Sequence, residues 1–514
     1  MRISQKSKRA AQPVSDDLPQ TRPCLHAPYA SPQHPQVAEL ISKLANTPND
    51  DIADVLASIE SWKWPRSDLN CWIKVLDKFD AILEEVIHDY DIDKLQLNVF
   101  TPATKQTVSA ILRFERLLLE NSTNRKTFNC YDVRILFHID YDEAYMVFSS
   151  SQRLMSLLLT SDLDVLILAL NLLLRPAQQY SAQPAVSAAL SISTPRLLSL
   201  SKRWPNLREH GISLLDLASP SGVPQVDVLP GEARDVSFVY YKTDYKEKEQ
   251  KPESGDEPPA TPRKLSLSPG SISIHVDEET LKKTDVMGIL ADILEVHPLS
   301  GDDKYELLCR MRVAKALVTG NEVIREKLLI VRLLAIAIYG HTHSENQAAS
   351  SLFLYEPDLT THIAELLQLD RGISTSVQTA AIAALDSIAR YRGRIQEVLG
   401  AINAGVNHGI LMSLLRKTIL DVSNPESKIP NSFIDALLGF VTYLAQHAGG
   451  GNMIVGAGLV PLLVQIIENK LAQRLQMVSK AMQLVDNVLY GYANAFQLFS
   501  NARGVDVLVE RIQV

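Results

Sequence analysis

The chain has little of what most quickly reveals a function. Its four cysteines, Cys24, Cys71, Cys130 and Cys309, lie far apart and form no CxxC pair or Cys/His ligand set. A zinc site and a disulfide framework are therefore not implied, and reduced thiols of a cytosolic or nuclear protein are the expected state. Aromatic residues make up only 6% of the 514, so any core must be aliphatic. Basic residues are not in excess: 51 Lys and Arg face 59 Asp and Glu, a formal charge of −8. That argues against a general nucleic-acid surface. The longest apolar run, residues 328–338, is interrupted by Arg332. It falls short of the roughly 20 residues needed to cross a bilayer. The N-terminus, MRISQKSKRAAQPVSDDLP, has no apolar signal core. No GxSxG, HExxH or kinase-type set occurs. No cofactor, membrane or direct nucleic-acid partner is expected.

What is present is aliphatic helix. Residues 153–176 read RLMSLLLTSDLDVLILALNLLLRP. Between positions 162 and 174 only Asp162, Asp164 and Asn171 are polar, so this helix is expected to be covered on nearly every side. A short apolar helix at 154–159 precedes it, Asp162 is placed to cap it, and Arg175-Pro176 is expected to stop it. Two helices at a tight turn, the second buried, are the unit of an α-solenoid. Further helices are predicted over 68–88, 106–119 and from 194 to Trp204-Pro205, with 128–145 ambiguous. Trp72, Val75, Phe79, Ile82, Leu83 and Val86 lie at helical spacing. So do Val377, Ala380, Ala381, Ala384, Leu385 and Ile388, and then Val478, Ala481, Met482, Val485, Val488 and Leu489.

Two regions break the pattern. Residues 1–35 are rich in Pro, Ser and Gln and are expected to be a disordered tail; Lys6-Ser7-Lys8-Arg9 reads as a weak nuclear-localisation patch or, more commonly for such runs, a solvated stretch. Residues 236–241 and 272–276 have strand character. They flank a charged, Pro-rich insert, 244–269, which holds too few aliphatics to offset its ordering entropy. A small β-hairpin with a disordered tip is predicted there, with helices resuming at 285. Thr261 and Ser268 precede prolines and Ser266 follows Arg263-Lys264-Leu265, so all three are phosphorylation candidates; such patterns are also frequent by chance.

Other candidate chemistry is weighed against plainer readings. The glycines of 449–458 suggest a phosphate loop, but the Lys-Ser/Thr is missing and no strand precedes it, so a loop between helices is the better reading. His341 and His343 lack a third ligand nearby and are read as a helix end. Asn171 is either a peptide-backbone ligand or, more plausibly in so apolar a helix, a buried Asn pinning a neighbouring loop.

Residues 162–179, DLDVLILALNLLLRPAQQ, closely resemble the N-terminal armadillo-like region of the giant HECT-type E3 ubiquitin-protein ligases. Matches continue through AAIAALDSIARYRGRIQEVLGAINAGVNHGILMSLLRK (380–417) and SFIDALLGFVTYLAQHAGGGNMIVGAGLVPLLVQIIEN (432–469) to VSKAMQLVDNVLYGYANAFQLFSNARGVDVLVERIQ (478–513). The resemblance runs from about residue 68 to the end. It implies an all-α fold: an armadillo/HEAT-like α-solenoid with the small β-hairpin and disordered insert. A first armadillo-like domain is expected over 36–425, and the start of a second, apparently truncated, over 426–514. The last helix, 504–513, reaches the terminus without a polar capping repeat.

In that family a cysteine of a far C-terminal HECT domain takes ubiquitin as a thioester and passes it to a substrate lysine. None of the four cysteines here has that context, so no catalytic residue carries over, and this chain alone is expected to form no ubiquitin thioester. The expected role is a substrate-binding scaffold segment acting in ubiquitination in the cytoplasm or nucleus. Its partners would be protein substrates and the rest of the ligase ring. The alternative is a stand-alone armadillo-repeat adaptor.

Overall fold

The computed structural model describes residues 34–59, 69–86, 101–120, 162–180, 235–240, 272–296, 319–343, 356–391 and 393–513, with isolated positions between them. The tail up to residue 33, the stretch 128–145 and the insert 244–269 with Thr261, Ser266 and Ser268 lie outside the described residues. So does most of the helix expected at 154–159. The described chain is mostly helical.

Helices α1 (Pro35–Asn46) and α2 (Ile52–Ile59) open it. Proline begins α1, where its missing N–H costs nothing, and Val37, Leu40, Ile41 and Leu44 form the buried stripe. Helix α3 (Ile73–Val86) follows a 3-10 turn, Leu69–Trp72, and packs near α4 (Pro102–Glu120). The scarce aromatics gather here. Trp72 and Phe79 each bring a ring to 5.8 Å from Phe114, and the Trp72 indole donates to Ser67 Oγ at 2.8 Å. A buried indole thus keeps its hydrogen bond.

Helix α5 (Leu163–Tyr180) is capped as the sequence indicates: Asp162 Oδ1 accepts from the amides of Asp164 (2.9 Å) and Val165 (3.2 Å). Lys105 of α4 pairs with Asp162 and Asp164 at 2.6 and 3.0 Å. Two expectations fail. The helix does not stop at Arg175-Pro176 but runs through it to Tyr180. Burial of Leu172, Leu173 and Ala177 on either side outweighs the loss from one proline, about 3 kcal/mol. Nor is α5 covered all round: Leu163, Ile167, Leu168, Asn171 and Leu174 remain half-buried along one stripe.

The backbones of β1 (Asp235–Tyr240) and β2 (Ile272–Asp277) pair antiparallel, from Asp235 opposite Asp277 to Tyr240 opposite Ile272. Helices resume at once, in α6 (Glu278–Lys283), rather than at 285, and continue in α7 (Val286–Val296).

The most enclosed helix is α8 (Glu322–His343), buried at every position from 328 to 341. It lies between α5 and α10 (Thr375–Ala389), with the short α9 (Leu359–Glu365) beside α10. Helix α10 is alanine-rich and buried from Val377 to Ala389 apart from Thr379, where its spacing alone marks one apolar face. Small side chains let α8 come close. A Cβ on Gly340 would stand 2.5 Å from Ser387 Oγ.

A regular unit then repeats. A short helix, α11 (Ile395–Ala401), leads to α12 (Ile410–Val422) and the longer α13 (Asn431–Gln446). The same order recurs in α14 (Ala448–Gly456), α15 (Leu459–Glu468) and α16 (Leu475–Gly491), and begins again in α17 (Ala495–Asn501) and α18 (Gly504–Gln513). Each short helix ends two residues before a left-handed residue: Asn403 (φ 51°), Gly458 (φ 101°) and Arg503 (φ 61°). After α11 the Ala404 amide reaches back to Leu399 O at 3.0 Å, the six-to-one bond of a Schellman turn. The long helices α4, α5, α8, α10, α13 and α16 pack each on the next as one column; α12, α15 and α18 form a second.

Candidate protein-binding groove

Two adjoining hollows, of about 410 and 140 Å³, run along one edge of this stack and share Thr375, Asp421 and Ile429. Helix α10 supplies one wall with its first turn, which Ser374 caps by accepting from the Val377 amide at 3.3 Å. Helix α12 supplies the other with Leu414, Lys417, Thr418, Leu420 and Asp421. The connection 423–430 closes one end.

That connection is fastened from behind. The Arg474 guanidinium donates to Asn431 Oδ1 (2.6 Å), Ile429 O (3.1 Å) and Ser427 O (3.4 Å). Asn469 Nδ2 donates to Val422 O at 3.3 Å and Gln473 Nε2 to Pro425 O at 3.2 Å. The next unit's side chains thus take up carbonyls that the end of α12 and its loop would leave open.

The floor is buried: Leu414, Thr418, Phe433 and Gln378. Thr418 spends its hydroxyl on Leu414 O at 2.8 Å. The Gln378 side-chain amide has no partner among the described residues and lines the inner hollow, although the residue is only 9% exposed. The rim is charged and apolar together. Lys417, Asp421 and Lys428 are exposed and in no ion pair among the described residues, and Leu420 is 73% exposed. Such a site offers hydrogen bonds, charge and apolar surface, without a nucleophile–base pair.

Elsewhere, buried ionic groups join the helices. Arg332, inside α8, pairs with Glu356 at 2.5 Å and donates to Ser201 O at 3.1 Å; His362 Nδ1 lies 2.7 Å from the other Glu356 oxygen. Burial alone would raise the Glu356 carboxyl, but Arg332 and His362 hold it below the usual range. In the last turn of α8, burial, assisted by Arg390, pushes His341 down to about 3. The neutral ring lies 3.5 Å from Asp386 Oδ2 without a hydrogen bond, so this is no ion pair. Burial raises Asp386 even though Arg390 grips both its oxygens. Arg390 also lies over the Tyr443 ring, 4.0 Å from its centre, tying α10 to α13.

Against these sites, the sequence candidates fall out as follows. Residues 341 and 343 close α8, as a helix end. Asn171 is half-buried and donates to Ile167 O of its own helix at 2.8 Å, and among the described residues it bonds no loop. The glycines 449–451 lie in α14, not in a loop, and are there for contact: a Cβ on Gly451 would overlap the Tyr492 phenol. Cys71 is buried; Cys24, Cys130 and Cys309 lie outside the described residues. The groove was missed because its parts come from residues 369–378, 414–421 and 424–433. The one available signal was Leu420, an apolar residue off the buried stripe of α12.

Among the described residues no single helix is long and apolar enough to cross a membrane. A family model described as Domain of Unknown Function (DUF908) matches residues 146–420, and another, Domain of Unknown Function (DUF913), matches 479–514. The chain is 26% identical over 498 residues to the E3 ubiquitin-protein ligase ptr1 of Schizosaccharomyces pombe, covering 94% of this chain and 14% of that one. It is 26% identical to UPL2 of Arabidopsis thaliana over 93% of this chain and 12% of the relative. For HUWE1 of Mus musculus the identity is 23%, over 92% and 10%. The chain thus spans about a tenth to a seventh of the relatives it matches. It belongs to the DUF908 family and is homologous to the N-terminal region of the large HECT-type E3 ubiquitin ligases.

Proposed function

We propose that the chain is the substrate-binding and scaffold segment at the N-terminal end of a HECT-type E3 ubiquitin ligase, acting in the cytoplasm or nucleus. The observation that carries this reading is the match over 94% of the chain to a single ligase. Thioester chemistry would belong to a HECT domain elsewhere in such a protein, and this segment would hold substrates and position them.

The three-helix units from α11 onward support an armadillo-type solenoid, since each buries its apolar faces only against its neighbours. We read 36–425 as the first armadillo-like domain, with 236–241 and 272–276 as the arms of a small hairpin around the insert 244–269. The second domain would begin at 426. The DUF908 match, ending at 420, favours that division. The helical stack itself is continuous there, through α12 and α13.

Two measurements test the proposal. The transcript should continue in frame past the codon for Val514 into a HECT domain; a stop codon there would favour a stand-alone adaptor instead. In the complete ligase, deleting 356–513 should remove ubiquitin from a subset of modified lysines, scored by mass spectrometry, while thioester formation is unchanged. An unaltered set of modified lysines would refute substrate binding by this segment.

A further inference from the structure

We propose that the groove between α10 and α12 binds an extended acidic peptide segment of a partner protein, with an apolar side chain between its carboxylates. The inference rests on reading this segment as protein-binding, and it names the chemistry of what is bound.

The first support is Gln378. The residue is only 9% exposed, and its side-chain amide, with no hydrogen-bond partner among the described residues, lines the inner hollow and keeps access to solvent there. It is thus free to bond a guest without giving up a bond inside the protein. A side-chain amide carries both a donor and an acceptor, the complement of an extended guest's C=O and N–H. The second is charge. Lys417 lines the inner hollow from α12 and Lys428 the outer one from the connection, neither in an ion pair among the described residues, in a chain whose formal charge is −8. Carboxylates on a guest flanking Gln378 would meet both. Asp421, the one acid lining the two hollows, can accept a guest N–H; it opposes an acidic guest only weakly, being outnumbered by the two lysines. The third is Leu420, 73% exposed beside the half-buried Ile429. An apolar guest side chain laid between them would cover both. The hollows are shallow and share their walls, which suits a peptide laid across them.

The test uses the whole 514-residue chain and two fluorescent nonapeptides, each with a central Leu-Phe, flanked by glutamates in one and by lysines in the other. Fluorescence polarisation should show the glutamate peptide binding at least ten-fold tighter, and its affinity should fall with added salt. The K417E/K428E variant should bind it at least ten-fold more weakly, and Q378L should also lose affinity, whereas D421N should hold or improve it. Circular dichroism would confirm that each variant is folded. Should a variant unfold, the peptide preference and salt dependence of the unaltered chain still decide. Equal binding of both peptides, preference for the lysine peptide, binding to neither, or a folded K417E/K428E variant that binds normally would each overturn the proposal. If it fails while deletion of 356–513 still alters the modified lysines, the groove is wrong and the reading of the segment stands.

Discussion

The Tyr492 phenol occupies the space that a side chain on Gly451 would need. Its hydroxyl donates to Ala445 O at 2.6 Å, so one ring bridges the end of α13 and the first turn of α14 from beyond α16. The glycine is a packing requirement set by a residue 41 positions away.

Gly451→Ala should therefore destabilise the chain by about 1–3 kcal/mol, the usual cost of overpacking. In a Tyr492→Ala background the same change should be nearly neutral. Denaturant unfolding of the two singles and the double gives the coupling. Additive effects would mean that the two residues do not interact.

Removing one member of the buried Arg332–Glu356 pair should cost more than removing both. Arg332→Met leaves the buried Glu356 carboxylate with His362 as its remaining partner and should destabilise by about 3 kcal/mol. Arg332→Met with Glu356→Leu should recover much of that. The thermal midpoints of the three proteins decide it, and a double variant no better than Arg332→Met would contradict the pairing.

The pH dependence of stability carries a histidine component with a fixed sign. His341 is held neutral, pushed down to about 3, whereas the unfolded chain protonates it near 6.5. The unfolded state then binds the extra proton, so stability falls as pH drops from 6.5 toward 3. By pH 5 this amounts to about 2 kcal/mol. Asp386, raised by burial, acts in the opposite direction: its folded form favours the proton, and the stability it adds at low pH is lost as pH rises through its folded pKa. The comparison with His341→Asn isolates the histidine. The wild-type curve should fall away from that of the variant between pH 7 and 5, and parallel curves would refute it.

Arg474→Ala should loosen the connection behind the groove, since three acceptors lose one donor. A loss of about 2 kcal/mol is expected, with faster proteolytic cutting within 424–430. Unchanged cutting there would show that the loop holds its own shape.

Much of the helical framework was legible, because burial at a period near 3.6 leaves a mark on the sequence. Trp72, Val75 and Phe79 are buried as their spacing indicates, and Asp162 caps as its position indicates. Local rules failed where tertiary contact overruled them. Pro176 reads as a stop and is carried by its neighbours; glycines 449–451 read as a loop and form a helix. Met482 fits the periodic stripe of α16 yet is 38% exposed, while Leu484 and Met477 take the core. The groove could not be read at all. Gln378 is an ordinary helical residue until Lys417, Phe433 and Ile429 are brought around it.

The single-file column of long helices has a mechanical consequence. Within the column each long helix packs on the one before and the one after, so a small tilt at any joint is passed on and adds to the next, as in a stack of slightly wedged plates. The joints are unequal. Between α8 and α10 the contact is buried and close, and Ser374 donates to Glu326 of α8 at 2.6 Å. Between α13 and α16 it includes the half-buried pair Lys480–Asp435, at 2.7 Å. Any bend of the segment is thus shared among joints in series, and the closely packed middle joint is the one expected to give least.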